Sequence, residues 1–177
     1  MKNLLPGGSL VEKAVVFIAT GFSIGIAAPF ASGTFGSIPG VALAYAFCAM
    51  RFSMPLQLAV SAVLALIAIP ICTRAERVFA KKDDGRIVAD EWMLYPVAVA
   101  GLPLLSFQSP LWCVAWGVLF FCVIRFFDIV KFPPCRKIQI LPGGWGVVLD
   151  DLIANVYSLG ANWGLYLVAK HFHIMGA

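Results

Sequence analysis

Hydrophobic residues along this chain fall in runs that short polar stretches interrupt. Met54 to Cys72 is apolar throughout and long enough to span a bilayer as a helix. Ile38 to Met50, set off from it by Arg51, is shorter, and the two read as a helical hairpin. Trp92 to Leu105 and Leu111 to Ile124 are two further apolar runs, joined by the uncharged turn Ser106 to Pro110, and Val147 to Ala169 is the last. Near the start, Ser9 to Ala28 is moderately apolar, and Ser9 and Glu12 stand at the spacing of a capping box. Glu12 and Lys13 leave that segment short, so crossing the membrane, lying along the interface and dipping in and out all remain open. Pro29 to Gly40, PFASGTFGSIPG, reads as a loop, because proline removes backbone donors and glycine admits positive φ.

Composition turns these runs into a class. Of the 177 residues 61% are hydrophobic and 12% charged, with a mean hydropathy of +0.91, whereas a soluble domain carries about 25% charged residues. The expectation is a membrane protein, all-α, folded as a compact polytopic helical bundle. No polar or low-complexity linker divides residues 1–177, so one domain is expected. The net charge of +4 is too small and too dispersed for nucleic acid, but it suits a face held against anionic headgroups, which makes a lipid the first partner to consider. Cys48, Cys72, Cys113, Cys122 and Cys135 show no metal or redox spacing and read as small core residues. The N-terminus lacks a convincing cleavage site and reads as retained structure, and His171 and His173 read as a polar tail.

Counting basic residues sets the sidedness. If Met54 to Cys72 and Trp92 to Leu105 both span, the connections Thr73 to Glu91 and Arg125 to Gly146 share one side and hold most of the Lys and Arg. That side should be cytoplasmic. The Pro29 to Ser37 loop falls there too, so three polar stretches distant in sequence converge on one membrane face.

The charges on that face carry the candidate chemistry. IVADEWM (Ile87 to Met93) and VVLDDLI (Val147 to Ile153) echo one another, each placing two acids at the cytoplasmic start of an apolar segment, where the helix macrodipole favours anions. Asp90, Glu91, Asp150 and Asp151, with Asp128, supply five hard oxygen ligands of the kind Mg²⁺ takes. Arg125, Asp128 and Lys131 lie at i, i+3 and i+6, where a purely structural ion-pair network is an equal reading for that trio. Asp150 and Asp151 are harder to dismiss, because an acid deep in a membrane helix costs roughly 2.5 to 3.5 kcal/mol. A bound cation with Arg125 and Lys131 relieves the repulsion, and Gly33, Thr34, Gly36 and Ser37 can offer amides and hydroxyls to phosphate oxygens. A small cation or proton transporter with paired intramembrane acids is the rival reading.

Four segments in order resemble the phosphatidylglycerophosphatase A family: SGTFGS (Ser32 to Ser37), IVADE (Ile87 to Glu91), IRFFDIVKFPP (Ile124 to Pro134) and GGWGVVLDD (Gly143 to Asp151). The resemblance implies a largely helical, magnesium-dependent phosphatase of the bacterial inner membrane that removes the terminal phosphate of phosphatidylglycerophosphate and leaves phosphatidylglycerol, in phospholipid biosynthesis. By matched position it makes Asp90, Glu91, Asp128, Asp150 and Asp151 the metal-binding and catalytic carboxylates. It makes Arg125, Lys131, Gly33, Thr34, Gly36 and Ser37 the phosphate contacts. The chain departs from the family pattern at Ser32, Leu94, Phe132 and Asn155, which stand at positions usually held by Pro, Gly, Pro and Gly. All charged positions are kept, so a changed pocket shape, and with it another phosphorylated substrate, is the third reading.

Overall fold

The computed structural model describes residues 9–28 and 30–172. Residues 1–8, Pro29 and 173–177 lie outside it, and with them the readings of a retained N-terminus and of His173 as tail. Among the described residues every regular element is a helix.

Helix α1 (Leu10–Ala19) opens on the expected capping box: Ser9 Oγ accepts from the Glu12 N–H at 3.2 Å and Glu12 Oε2 accepts from the Ser9 N–H at 2.9 Å. Thr20 caps it, and three residues at positive φ, Gly21, Phe22 and Ser23, then lead into α2 (Ile24–Ala27). The stretch expected as a loop is mostly helical: α3 is Ser32–Gly36 and α4 runs over Ile38–Ala49. The misreading has a physical cause. Pro39 sits in the first turn of α4, where its missing N–H has no intrahelical partner to lose, and the glycines lie against neighbouring elements instead of making turns.

Helices α5 (Met54–Phe79) and α7 (Pro110–Val130) are long and apolar enough to cross a membrane, about 39 and 32 Å at 1.5 Å per residue. Their outward sides expose Val63, Leu66, Leu111, Val114, Val118 and Ile129, a broad apolar surface of the kind that faces lipid or a partner. The last helix, α9 (Gly144–His171), follows the short α8 (Cys135–Ile138) and inverts the soluble pattern. Asp151, Asn155, Ser158 and Asn162, at helical spacing, are buried, while Val156, Leu165, Leu167 and Val168 are exposed.

At the centre lies α6 (Ala89–Ala98), packed by α3, α4, α5 and α9. Its ten residues reach about 15 Å, half the roughly 30 Å of a hydrocarbon core, so Trp92 to Leu105, a span only by supposition in the count of basic residues, is not one continuous helix. Beyond Val99 the chain continues as an irregular, buried strip, and other helices satisfy its backbone. Asn162 Nδ2 donates to the Ala98 carbonyl and Trp163 Nε1 to that of Ala100, both at 3.0 Å, and the Gly101 N–H donates to Gln57 Oε1 at 3.0 Å. Irregular backbone at such depth is tolerated where protein covers it in this way. The strip still reaches the far end of the bundle, where Gly101 lies against Met54, the first residue of α5. One apolar cluster (Ala19, Ala68, Cys72, Leu94, Val148) therefore surrounds the start of α6, and a second (Ala98, Leu102, Trp116, Phe120, Ala169) surrounds its other end.

Candidate active site

Helices α6 and α9 begin at the same end of the molecule, where α5 and α7 finish. Asp90 and Glu91 occupy the first turn of α6, and Asp150 and Asp151 the second turn of α9. The final turns of α7 add Arg125 and Asp128, and Lys131 caps that helix at φ +49°. Asp90, Asp150 and Asp151 are all buried.

Two cations organise the acids. Arg125 Nη1 lies 2.8 Å from Asp128 Oδ2 and 3.2 Å from Glu91 Oε2. Lys131 Nζ lies 2.6 Å from Asp150 Oδ2. The charges of Asp128, Asp90, Asp150 and Glu91 all bear on Asp151, and those of Glu91, Asp128 and Asp150 on Asp90. Five carboxylates thus face two cations across three helices, an imbalance that a buried site does not sustain unaided. Asp90 Oδ1 and Asp150 Oδ1 are buried without any hydrogen-bond partner, as is Arg125 Nε. Among the described residues no three His, Cys, Asp or Glu side chains already converge as a ready-made metal centre. Even so, the donors are all hard oxygens and two of the buried ones are free, which fits a divalent cation taking one or two carboxylates with water and phosphate oxygens.

Helix α3 enters this cluster from the side. Ser37 Oγ lies 2.8 Å from the Gly33 carbonyl and 3.2 Å from Glu91 Oε2, in reach to donate to either, and Arg125 Nη1 reaches the same hydroxyl at 3.5 Å. Gly33 is a wedge with no spare volume: a Cβ there would collide with Glu91 Oε1 and lie 2.7 Å from Arg125 Nη2. Thr34 is half-buried on the same turn. Gly36 packs on Val88, away from the charged groups. Of the four residues expected to bind phosphate through a glycine loop, Gly33 and Ser37 therefore meet the acid cluster, through close packing and hydrogen bonding.

A second close approach sets the depth of α9. A Cβ on Gly144 would run into the Ile69 carbonyl of α5, and the Gly144 N–H donates to Thr73 Oγ1 at 2.8 Å. The glycine turn thus locks the start of α9 onto α5 and fixes how far Asp150 and Asp151 lie below the helix end.

Sequence reasoning missed Asp83 and Glu76, which look like members of a solvated charge run. Glu76 is buried and its Oε1 accepts the Asp83 N–H at 2.8 Å, and the Asp83 charge bears on Asp90 and Asp150. A usable signal existed: Ile69, Cys72 and Glu76 share one helical stripe whose other members are core residues. In the same loop Asp84 is also buried, paired at 2.7 Å with the more exposed Arg86, whose hydrogen bond holds the Asp84 carboxyl below its ordinary range. Among the departures from the family pattern, Leu94 is fully buried core one turn below Asp90, and Asn155 donates to the Asp151 carbonyl at 2.9 Å. Phe132 packs on Phe126 and Phe127, and Ser32 Oγ lies beside Gly85.

An acid cluster with two captured cations, sunk at one end of an apolar helical molecule, is a site suited to hydrolysis or ion handling. A model of the phosphatidylglycerophosphatase A family matches residues 17–166, and the chain belongs to that family and is an enzyme. It is 31% identical over 143 residues to the phosphatidylglycerophosphatase A of Haemophilus influenzae, covering 80% of this chain and 82% of that one. To the phosphatidylglycerophosphatase A of Escherichia coli it is 30% identical over 158 residues, covering 88% and 83%. A Bacteroides thetaiotaomicron protein provisionally named a phosphatidylinositol-3-phosphatase is 31% identical over 150 residues, covering 81% and 87%. No solved structure matches.

Proposed function

We propose that this protein is a Mg²⁺-dependent phosphatase that hydrolyses the terminal phosphomonoester of phosphatidylglycerophosphate, giving phosphatidylglycerol and phosphate in phospholipid biosynthesis. The observation that carries the reading is the five-carboxylate, two-cation cluster at the shared end of α6, α7 and α9 in a chain of this family. The chain is a single polytopic unit in the bacterial inner membrane. Arg74, Arg77, Lys81, Lys82, Arg86, Arg136 and Lys137 gather at the end that holds the acids, which by the distribution of basic residues is the cytoplasmic one.

Asp90, Asp150 and Asp151 are the first candidates to hold the metal, with Asp128 and Glu91 beside them. A bound Mg²⁺ neutralises phosphate charge and lowers the pKa of an attacking water. The protein's own groups do the remaining work. Arg125, held by Glu91 and Asp128, presents its remaining N–H donors to the non-bridging oxygens. Lys131 is a mobile point charge that can leave Asp150 for the phosphate. A free carboxylate oxygen, such as Asp90 Oδ1 or Asp150 Oδ1, is available to take a proton from water.

The test is phosphate release from phosphatidylglycerophosphate in mixed micelles, with EDTA and with Asp151→Asn in parallel. Release that EDTA abolishes, that Mg²⁺ restores and that the substitution removes from a folded protein supports the reading. Full chelator resistance sinks the metal mechanism. The Bacteroides relative favours a second reading, the same chemistry on another phosphorylated lipid. Release from phosphatidylinositol 3-phosphate and not from phosphatidylglycerophosphate would establish it. Ion flux in liposomes without phosphate release would instead favour the transporter.

A further inference from the structure

Helices α7 and α9 touch, but they do not close on one another along their outer side. A groove of about 520 Å³ lies between them, almost wholly apolar, with Cys122, Phe126, Ala161 and Gly164 among its walls. One wall is open at Gly164, where a Cβ would have nothing within 4 Å. Glycine inside a helix costs about 1 kcal/mol relative to alanine, and in membrane helices small residues are normally repaid by close packing against another helix. Among the described residues nothing packs there.

The groove has two different ends. Away from the site it simply meets the outer surface of the bundle. Toward the site it runs into an aromatic collar, where Phe127 packs on Phe132 at 5.5 Å and on Tyr157 at 6.0 Å, and the Tyr157 hydroxyl donates to the Pro133 carbonyl at 2.8 Å. Beyond Phe132 opens a second cavity of about 370 Å³ whose walls include Lys131, Arg136 and Lys137. Lys131 is the residue paired with Asp150. An apolar trough, an aromatic collar and a mouth whose largely apolar walls carry Lys131, Arg136 and Lys137 therefore follow one another and lead to the acid cluster, in the order in which a phospholipid presents acyl chain, glycerol backbone and phosphate.

We propose that the α7–α9 groove seats an acyl chain of the phospholipid and so aligns its headgroup with Lys131 and the acids. The inference rests on the lipid-phosphatase reading for its consequence in turnover. The occupant is lipid because the cationic mouth matches an anionic headgroup and the trough matches its chain. A second copy's apolar helix would match the trough and bring no anion to Arg136 and Lys137.

Gly164→Phe fills the groove without touching the charged site, and Gly164→Ala controls for the change in helix propensity. The expected result is a KM for long-chain phosphatidylglycerophosphate raised by about tenfold or more, with kcat and the hydrolysis of a short-chain analogue unchanged, and wild-type behaviour for Gly164→Ala. Equal effects on long- and short-chain substrates, or none, overturn the proposal. Should Gly164→Phe not fold, wild-type protein is photolabelled with phosphatidic acid carrying a diazirine at mid-chain. Labels concentrated on the α7 and α9 peptides that line the groove, and competed by unlabelled phosphatidic acid, support it. Labels spread equally over the outer face of α5, or a Cys122-linked dimer that excludes label, overturn it. Concentrated labelling without phosphatidylglycerophosphate hydrolysis refutes the substrate reading and leaves the groove; hydrolysis with even labelling does the reverse.

Discussion

Removing Lys131 separates structural from functional electrostatics. At 2.6 Å from Asp150, a unit charge pair is worth about 6 kcal/mol at an effective dielectric of 20, before desolvation is subtracted. Asp150 is almost fully buried and Lys131 about a quarter exposed, so the two single changes are not equivalent. Lys131→Met strands a buried carboxylate, a loss of about 3–5 kcal/mol, or roughly 6–20 °C in melting temperature for a chain of this size. Asp150→Asn strands only a lysine that can turn its ammonium toward solvent, and costs less. The double variant, Lys131→Met with Asp150→Asn, removes both charges and should melt well above Lys131→Met alone. Phosphate release should stay lost in all three. The assay is a thermal melt in detergent beside a phosphate-release measurement. A Lys131→Met protein that melts like wild type, or a double variant no more stable than Lys131→Met, would refute the reasoning. Recovery of activity in the double variant would make the pair structural only.

Further outcomes are expected elsewhere. Gly33→Ala forces Glu91 and Arg125 apart, and an overpacking cost of about 1–3 kcal/mol translates into roughly a 5- to 150-fold loss of kcat/KM; a Gly85→Ala control, where the new Cβ meets only Ser32 Oγ at 3.6 Å, should be near wild type. Asn162→Ala leaves the Ala98 carbonyl unsatisfied and should destabilise the protein by about 1–3 kcal/mol, read as a lowered melting temperature with the metal dependence of the remaining activity unchanged. Asp90→Asn should lower turnover by at least about a hundredfold while the melting temperature holds or rises, because it removes one like charge from a crowded cluster; a falling melting temperature would argue that Asp90 has a structural partner instead.

The parts of this molecule that were legible in advance are those governed by composition. Helices α5 and α7 follow from unbroken apolar runs, and α1 from a capping box that Ser9 and Glu12 form as spaced. The acids were legible because a carboxylate is conspicuous in an apolar chain. What escaped was whatever depends on contact between distant segments. Gly33 and Gly36 look like turn formers until Glu91, Arg125 and Val88 are seen pressed against them. Trp92 to Leu105 reads as one apolar run, and nothing local reveals that Asn162 and Trp163 take over its backbone hydrogen bonds. Asp83 looks like ordinary surface until Glu76 is found buried beneath it.

That dependence of α6 on α9 bears on how the protein is made. The residues that accept and donate for the strip beyond Ala98 are spread from Gln57 to Trp163, and the latter is synthesised more than half a chain later than the former. During translation Trp92 to Leu105 therefore emerges with carbonyl groups that neither lipid nor its immediate neighbours can satisfy. Helices α5 and α7 can enter the bilayer on their own hydropathy, but the centre of the molecule has to wait, shallow or shielded, until the final helix arrives. The acids of α6 and α9 are then brought together in the same late step, so a chain stalled before α9 has both of its long apolar helices and no assembled acid cluster.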